Sequence, residues 1–368
     1  MKASLIGRDG ARYPLDEPRW RGDDGSPLLV EPLPGITRAD IEPTVRSQWR
    51  YAKALPLPLT PVSLGEGCTP LLPVRIDGFE LAVKPEWFNP TASFKDRGTT
   101  VMVSLLKHQG VDAMLEDSSG NGGASVAAYA AAAGIDAKIL APDSTSEAKT
   151  LQSRMHGATL ELIPGSRQAT ADEAVRQSTQ RFYASHNWHP FFLQGTKLIA
   201  YEIWEDLGFR APDNVLIPVG AGSLALGCSI GFNELKRAGA IEYLPRLLLA
   251  QPENVSPLAR AFEAGDAAVT DAAWEPTIAE GTAITRPVRD REVLAAVRES
   301  GGTIVAVPET EIAPAVRLLA RHGLYTEPTG AIVIAALPRL SIDPQETTVT
   351  VLTGSGLKSA ATMARILG

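Results

Sequence analysis

Apolar residues recur in two alternating patterns along most of the chain after residue 80. Short apolar runs typical of buried strands are followed by longer segments with the three- to four-residue spacing of amphipathic helices. This alternation predicts an α/β fold in which parallel sheets are covered by helices on both faces. The predicted strands are residues 81–86, 113–116, 137–141, 159–163, 214–219, 247–250, 303–307 and 347–352. The predicted helices are residues 100–108, 124–133, 146–155, 200–207, 311–321 and 331–336.

The first 64 residues lack this periodicity and are rich in proline, glycine and charged residues. We expect them to form an arm packed over the main body, with one short hairpin around residues 28–30. Residues 65–98 and 196–368 are assigned to a large domain, and residues 99–195 to a smaller, mobile domain. A chain of 368 residues suits two domains that share an interface better than one continuous core.

Composition excludes several classes of protein. The chain is 44% hydrophobic and 21% charged, which is typical of a soluble globular protein, and its net charge of -7 argues against nucleic-acid binding. No apolar run is long enough for a membrane span, and residues 1–8 lack the core of a secretory signal. The two cysteines, Cys68 and Cys228, argue against a disulfide framework and favour the cytoplasm.

The segment with the clearest chemical signal is residues 89–98, Asn-Pro-Thr-Ala-Ser-Phe-Lys-Asp-Arg-Gly. Thr91 or Ser93 is placed to cap the helix that follows. Lys95 then lies at a helix start, where the helix dipole and Arg97 disfavour its protonated form. A neutral lysine amine can form a Schiff base with a carbonyl cofactor. In isolation the same residues are more often solvated charges in a first helical turn.

Three glycine-rich turns follow predicted strands, which is where open α/β sheets bind ligands. The first, residues 117–125, contains Asn121, whose amide can donate to a phenolate oxygen, and backbone N–H groups that can hold a carboxylate. The second, residues 220–224, offers converging N–H groups and a hydroxyl for a phosphate, without the lysine of a nucleotide P-loop. The third, residues 352–358, contains Thr353. Each turn alone could be a tight turn before a helix.

Together these motifs resemble threonine synthases, which are pyridoxal 5'-phosphate (PLP) enzymes of the tryptophan synthase β-chain fold, also called fold type II. Segment 90–97 is similar to their Pro-Thr-Gly-Ser-Phe-Lys-Asp-Arg motif, with Ala92 where that family usually has glycine. Residues 65–71, the Ser-x-Gly-Asn loop at 118–121 and Thr-Gly-x-Gly-Leu-Lys at 353–358 also resemble that family. The turn at 220–224 is closer to the phosphate cup of threonine dehydratases, which share the fold.

The resemblance implies a PLP site in the cleft between two α/β domains. Lys95 would carry the cofactor and act as the general base at Cα, Asn121 would contact its ring oxygen and Thr353 its ring nitrogen. Glu327, in a Glu-Pro-x-x-Ala segment of the same superfamily, would line the cofactor face. The implied cofactor-binding residues are Phe94, Lys95, Asn121, Gly220, Ala221, Gly222, Ser223, Leu224 and Thr353. The implied substrate-binding residues are Ser118, Ser119, Gly120 and Gly122.

The arm resembles the amino-terminal region of threonine synthases that begin with a zinc ribbon. It contains neither cysteine nor histidine, so we expect no metal site and only a packing role. The resemblance also implies a small amino-acid substrate and a homodimer, with no nucleic-acid or membrane partner.

Two positions depart from the threonine synthase pattern. Phe192 stands where the family has a phosphate-binding arginine, and Gly122 replaces a threonine beside Asn121. The substitute cations that remain open are His186, His189, Lys197, Lys149 and Arg154. Segment 277–281 is similar to a dehydratase segment.

Four functions therefore remain open. The first hypothesis is a threonine synthase-like PLP lyase that eliminates or replaces a group at Cβ or Cγ. The alternative is a PLP-dependent ammonia-lyase, or dehydratase, acting on a hydroxy-amino acid such as threonine or serine. A catalytically silent PLP-binding protein and a nucleotide-binding protein belong to different classes.

Overall fold

The computed structural model describes residues 3–368, whose strands form two large sheets and one small one. The six-stranded sheet has the order β12-β11-β10-β13-β5-β4, and the four-stranded sheet has the order β8-β7-β6-β9. Neighbouring strands in both sheets are parallel, except that β4 is an antiparallel edge strand. The predicted α/β fold is therefore confirmed. The strands are β1 Leu5–Ile6, β2 Arg12–Tyr13, β3 Leu29–Val30, β4 Leu72–Ile76, β5 Phe79–Pro85, β6 Ala113–Glu116, β7 Asp136–Pro142, β8 Thr159–Ile163, β9 Phe182–Tyr183, β10 Asn214–Pro218, β11 Arg246–Pro252, β12 Thr303–Val307 and β13 Thr348–Leu352.

Helices follow most of the parallel strands and cover the sheets. The strongly apolar helix α11 is buried along its whole length, whereas α9 and α10 bury one face only. No helix among residues 3–368 is long and apolar enough to cross a membrane. The helices are α1 Lys95–His108, α2 Asn121–Ala133, α3 Glu147–Met155, α4 Arg167–Gln177, α5 Pro190–Thr196, α6 Leu198–Asp206, α7 Ser223–Arg237, α8 Pro257–Ala264, α9 Asp290–Glu299, α10 Glu309–Arg321, α11 Pro328–Ala336 and α12 Ala360–Leu367.

The two large sheets draw on different parts of the chain. The four-stranded sheet uses only strands between residues 113 and 183. The six-stranded sheet combines β4 and β5 with the four strands that follow residue 213. Helix α1 leaves the larger sheet and packs against α2 and α5, so it connects the two halves. The mobility of the smaller half stays a prediction.

The amino-terminal arm contains a three-stranded antiparallel sheet in the order β2-β1-β3. The prediction of one hairpin at residues 28–30 was wrong, because β3 pairs with the distant β1 and the hairpin joins β1 to β2. Leu28, Trp49 and Tyr51 are buried in the same apolar core as helices α5 to α7. The arm therefore packs over the main body through apolar contacts.

Candidate active site

Lys95 is the first residue of α1, five residues earlier than the sequence pattern predicted. Neither Thr91 nor Ser93 caps this helix. The backbone N–H and the hydroxyl of Thr91 instead donate to the carboxylate of Asp96, both at 2.6 Å. Asp96 also accepts a 2.6 Å bond from Ser125 of α2, so this carboxylate joins the lysine turn to the helix that follows Asn121.

The lysine turn is joined by backbone hydrogen bonds to the turn that contains Thr353. The N–H of Phe94 donates to the carbonyl of Thr353 at 3.0 Å, and the N–H of Ser355 donates to the carbonyl of Ala92 at 3.1 Å. The lysine turn and the turn that contains Thr353, which are far apart in the sequence, thus form one side of a site. This pairing brings Lys95 and Thr353, both predicted cofactor contacts, to the same place.

The amine of Lys95 lies in an apolar setting. Its Nζ is 4.5 Å from the ring centroid of Phe94 and 5.7 Å from that of Phe192, and no hydrogen bond to it is found within residues 3–368. Burial lowers the pKa of Lys95 from 10.5 to about 7, while the nearby carboxylate of Glu116 acts in the opposite direction. A large fraction of this amine is therefore neutral near pH 7, as nucleophilic attack on a carbonyl requires.

Arg97 does not lower the pKa of Lys95, contrary to the sequence-based expectation. Its guanidinium is fully buried and pairs with Glu86 at 2.6 Å and with Glu202 at 2.8 Å. Lys84 completes this network, 2.6 Å from Glu202. Burial opposes ionisation of Glu202, but Arg97 and Lys84 outweigh it and hold its pKa well below the usual value. The network therefore fixes the lysine turn onto β5 and α6.

Asn121 and Thr353 both donate to one carboxylate, that of Glu327. Asn121 Nδ2 is 2.9 Å from Oε2 of Glu327, and Thr353 Oγ1 is 2.7 Å from Oε1. Asn121 begins α2 beside the four-stranded sheet, whereas Glu327 directly precedes α11 beside the six-stranded sheet. Asn121 therefore reaches Glu327 across the cleft, whereas Thr353 directly follows β13 and reaches it from the side of the six-stranded sheet.

The predicted phosphate cup, residues 220–224, lies between β10 and α7. The backbone N–H groups of Gly220, Ala221 and Gly222 donate to no acceptor in the described part of the chain. Gly222 has φ +90°, and a Cβ there would lie 2.2 Å from Cγ2 of Val293, so only glycine fits. Free N–H groups at the start of a 15-residue helix form an anion site, and the cup fits the phosphate of PLP.

The predicted substrate loop connects β6 to α2. Ser118 is buried, whereas Ser119 and Gly120 are accessible. A Cβ on Gly122 would lie 2.8 Å from Nδ1 and Cε1 of His186, so the His186 ring occupies the space that a side chain at position 122 would need. The four predicted substrate-binding residues, Ser118, Ser119, Gly120 and Gly122, therefore surround the start of α2, beside Asn121.

Sequence reasoning missed a buried pair at the end of β6. Oε1 of Glu116 lies 2.7 Å from Nδ1 of His186, and Oε2 accepts the backbone N–H of His186 at 3.0 Å. Burial raises the pKa of Glu116 to about 7 and lowers the pKa of His186 well below its usual value. The signal available in the sequence was the acidic pair Glu116 and Asp117, which ends a buried strand directly before the substrate loop.

The other candidate cations are engaged elsewhere. Lys197 is fully buried and donates to Glu234 at 2.7 Å and to Gln194 at 2.6 Å. Lys149 pairs with Glu280, and Arg154 pairs with Glu147 at 3.0 Å. Each of these three cations is therefore paired with a carboxylate of the chain in this structure.

His189 is also unsuitable as a cation. Its Nδ1 accepts the N–H of Phe191 at 3.2 Å and so caps α5. Burial lowers the pKa of His189 to about 3, and the charge of Arg289 acts in the same direction.

Arg167, an exposed residue at the start of α4, is the cation that contributes to lowering the pKa of both Lys95 and His186.

A cavity of about 390 Å³ lies elsewhere, between the arm and helices α7 and α9. Arg8, Arg237 and Glu292 line it, and none of the predicted site residues does. The chemistry around Lys95 therefore decides the location of the active site, rather than cavity size.

The fold and this set of residues define a PLP-dependent enzyme of fold type II. Residues 62–354 match the family model described as "Pyridoxal-phosphate dependent enzyme", and the chain belongs to that family. Its cofactor is PLP, and the cup and the paired donors fit that molecule. The free N–H groups suit its phosphate, and Asn121 and Thr353 suit its ring.

Curated relatives are threonine synthases. The enzyme of Methanosarcina acetivorans is 37% identical over 329 residues, covering 86% of this chain and 81% of its own length. The enzyme of Mycobacterium tuberculosis (strain H37Rv) is 33% identical over 346 residues, covering 90% and 91% respectively. With these relatives, the chain is a threonine synthase-like PLP-dependent lyase.

Solved structures with the same fold include enzymes with other names. A fungal L-serine ammonia-lyase from Rhizomucor miehei superimposes with a TM-score of 0.71 at 22% identity, covering 82% of this chain and 98% of that chain. The threonine deaminase of T.th. gives a TM-score of 0.66 at 26% identity, covering 78% and 92%. The first of these likenesses supports the fold alone.

Proposed function

We propose that the protein catalyses elimination or replacement at Cβ or Cγ of an amino acid, with Lys95 as the residue that binds PLP covalently. The observation that supports this most is the convergence of an unpaired lysine amine of lowered pKa with the donors of Asn121 and Thr353. When bound, PLP supplies an electron sink that stabilises negative charge at Cα. A catalytically silent PLP-binding protein would use the same neutral lysine, and steady turnover of any amino acid would exclude it.

The residues of the chain have separate tasks in this proposal. Lys95, once released by the substrate amine, takes the proton from Cα through its neutral Nζ. The N–H groups of residues 220–222 and the hydroxyl of Ser223 hold the phosphate, and Asn121 orients the ring through its oxygen. The hydroxyl of Thr353 meets the ring nitrogen without enforcing its protonation, which favours side-chain chemistry over transamination.

The threonine synthase reaction, from O-phosphohomoserine to threonine, is the first candidate because the curated relatives carry that name. A specific observation favours the second candidate, an ammonia-lyase acting on a hydroxy-amino acid. Phe192 is fully buried beside Lys95, where the resemblance places a phosphate-binding arginine. A phenyl ring offers no hydrogen-bond donor to a phosphate. A phosphate is costly to bury without such donors.

Substitution of Lys95 tests the PLP attachment. We expect Lys95→Ala protein to lose the visible absorbance of lysine-bound PLP and to yield no lysine adduct after borohydride reduction and peptide mass spectrometry. The control is Lys107→Ala, an exposed lysine of the same helix, which should keep both signals. A reducible lysine adduct in Lys95→Ala protein would contradict the assignment.

The two candidate reactions give different products. We expect the holoenzyme given L-threonine or L-serine to release ammonia and a 2-oxo acid, if the ammonia-lyase candidate is right. Given O-phospho-L-homoserine, a threonine synthase releases inorganic phosphate and threonine together. Parallel assays of all four products decide between the candidates, and no turnover of any amino acid would reject both.

A cytoplasmic homodimer is the remaining part of the proposal. The cysteine content supports the compartment, and the resemblance supports the dimer. Light scattering coupled to gel filtration should give a mass near twice the 39.1 kDa of the chain. A monomer mass would reject the homodimer.

A further inference from the structure

The ring of His186 fills the space beside Asn121 at the start of α2. A Cβ on Gly122 would lie 2.8 Å from two ring atoms of His186 and 2.9 Å from the hydroxyl of Ser118. An imidazole that arrives from residue 186 therefore takes the place of a side chain at position 122. Because Asn121 and Ser118 belong to the same loop, this imidazole borders the predicted substrate site.

Glu116 holds this imidazole in one orientation. Both carboxylate oxygens are used on His186, one by the backbone N–H and one by Nδ1. When Glu116 is ionised it accepts from Nδ1 of the neutral ring, and Nε2 is then left as a hydrogen-bond acceptor. No bond to Nε2 of His186 is found within residues 3–368, and this atom is not among the sealed unpaired atoms, which include Nε2 of His189. Nε2 of His186 is thus available to a ligand.

Phe192 forms an apolar wall between Lys95 and His186. Its ring centroid is 5.7 Å from Nζ of Lys95 and 5.7 Å from the ring centroid of His186. The ring is fully buried and packs against Gly98, where a Cβ would come within 2.6 Å of it. The two departures from the threonine synthase pattern, at positions 122 and 192, are therefore both in contact with His186.

Three acidic groups close to this ring weaken the binding of an anion, against the cations Lys95 and Arg167, whose charges also act on His186. Glu116 and Asp117 are buried at the end of β6, and Glu327 faces Asn121 across the cleft. A phosphate needs charge-assisted donors in such a setting, whereas a hydroxyl needs a single acceptor. His186 provides an acceptor there, whereas the ring of Phe192 provides no donor to a phosphate.

We propose that His186, oriented by Glu116, is a specificity-determining residue that accepts a hydrogen bond from the side-chain hydroxyl of a β- or γ-hydroxy amino acid. The same wall excludes substrates whose side chain is phosphorylated. This inference rests on the proposed function, because it requires an amino acid bound at the PLP of Lys95. It deepens that function by naming the class of substrate and the residue that selects it.

Three kinds of ligand test the selection. L-Threonine and L-homoserine share one analogue without the hydroxyl, L-2-aminobutyrate, and both have phosphate esters. Stopped-flow absorbance of the holoenzyme gives an apparent dissociation constant for each ligand from the change at bound PLP. We expect L-threonine or L-homoserine to bind about tenfold or more tightly than L-2-aminobutyrate, because a site built for a hydroxyl rejects the analogue without it. The phosphate esters should bind more weakly than L-2-aminobutyrate.

Variants separate selection from a structural role. His186→Leu removes the acceptor at similar volume, so the preference for the hydroxyl should disappear while the affinity for L-2-aminobutyrate stays within about threefold. His186→Asn keeps an acceptor and should recover part of the preference. Glu116→Gln removes the charge and should reduce the discrimination against the phosphate esters. His156→Leu, an exposed histidine of the same half of the protein, is the matched control and should behave as the wild type.

The outcomes distinguish a failure of this inference from a failure of the proposed function. Equal binding of hydroxylated and unhydroxylated ligands to the wild type, or an unchanged preference in His186→Leu, would overturn the inference alone. Equal weakening of all ligands in that variant would assign His186 a structural role and also overturn it. If no amino acid alters the absorbance of PLP-loaded enzyme, the proposed function fails and the inference fails with it. Should His186→Leu not fold, the ratio of the apparent dissociation constants of L-threonine and L-2-aminobutyrate in Glu116→Gln protein decides instead. An unchanged ratio would show that Glu116 does not orient the acceptor and would overturn the inference.

Discussion

Ala92 is one of four non-glycine residues with left-handed backbone among residues 3–368. It has φ +63° in the lysine turn, at the position where the threonine synthase motif usually has glycine. Left-handed backbone costs a residue with a Cβ about 1–2 kcal/mol. The turn keeps this conformation because the carbonyl of Ala92 accepts the N–H of Ser355 and its N–H donates to the carbonyl of Asn89.

Ala92→Gly should therefore stabilise the protein. Relief of the strain exceeds the extra entropy of glycine in the unfolded chain, so we expect the free energy of unfolding to rise by about 0.5–1 kcal/mol. Urea unfolding of the two proteins measures the difference. The control is Ala132→Gly in the exposed part of α2, which should lower the free energy of unfolding by about 1 kcal/mol. A loss of stability in Ala92→Gly protein would show that the turn is not strained.

At the scale of elements, the contact between α1 and α5 explains why a phenylalanine at position 192 is tolerated. Gly98 in α1 has no side chain, and the ring of Phe192 from α5 lies in the space above it. Gly195 allows the same close approach one turn later, where a Cβ would lie 2.1 Å from the carbonyl of Arg97. Helix α1, which begins at Lys95, is thus positioned by helix α5, which contains Phe192.

Gly98→Ala should destabilise the protein through this contact. A Cβ 2.6 Å from the ring overpacks the crossing and should cost about 1–3 kcal/mol, despite the better helix propensity of alanine. In a Phe192→Ala background the same change should cost nothing. A double-mutant cycle by urea unfolding measures this coupling. Equal costs in the two backgrounds would mean that the clash is relieved by another movement.

Strands and helices with regular apolar spacing could be predicted from the sequence. The bounds of β6, β8 and β12 agree with the predicted ranges. The start of α1 could not be predicted, because its first residues are polar or glycine and are buried through distant partners. Arg97, for example, pairs with Glu202, 105 residues away. The short α5 begins with a proline and contains a glycine, so no helical period is visible in it.

The site was predictable where a motif is local and hidden where it depends on distant pairs. Lys95, Asn121, Thr353 and the cup were named from short motifs, and the fold brings the first three together around Glu327. The pair of Glu116 and His186 joins residues 70 apart, and neither position has a spacing that indicates the other. Burial of both groups is a tertiary property that no local pattern contains.

At the scale of the whole molecule, buried groups make stability depend on pH, and His189 gives the clearest case. It is buried at the start of α5, its Nε2 has no partner within residues 3–368, and Arg289 donates to the carbonyls of Asn187 and Trp188 beside it. Burial lowers the pKa of His189 to about 3 from an unfolded value near 6.5. The folded protein therefore keeps this imidazole neutral over a range where the unfolded chain protonates it.

The sign of the effect follows from that difference. The contribution of neutral His189 to the free energy of unfolding is fully present above pH 6.5. It is lost as the pH falls towards 3, by up to about 1.4 kcal/mol per pH unit. His189→Asn keeps a side-chain oxygen that can cap α5 but does not titrate. We expect the wild type to lose about 1 kcal/mol more than this variant between about pH 6 and pH 5 in urea unfolding. His186 and the acidic groups are common to both proteins, so their contributions cancel. His322→Asn, at an exposed histidine, should follow the wild type. Parallel pH profiles of the free energy of unfolding for the wild type and His189→Asn would contradict this prediction. They would show that His189 takes up its proton in the folded protein as readily as in the unfolded chain.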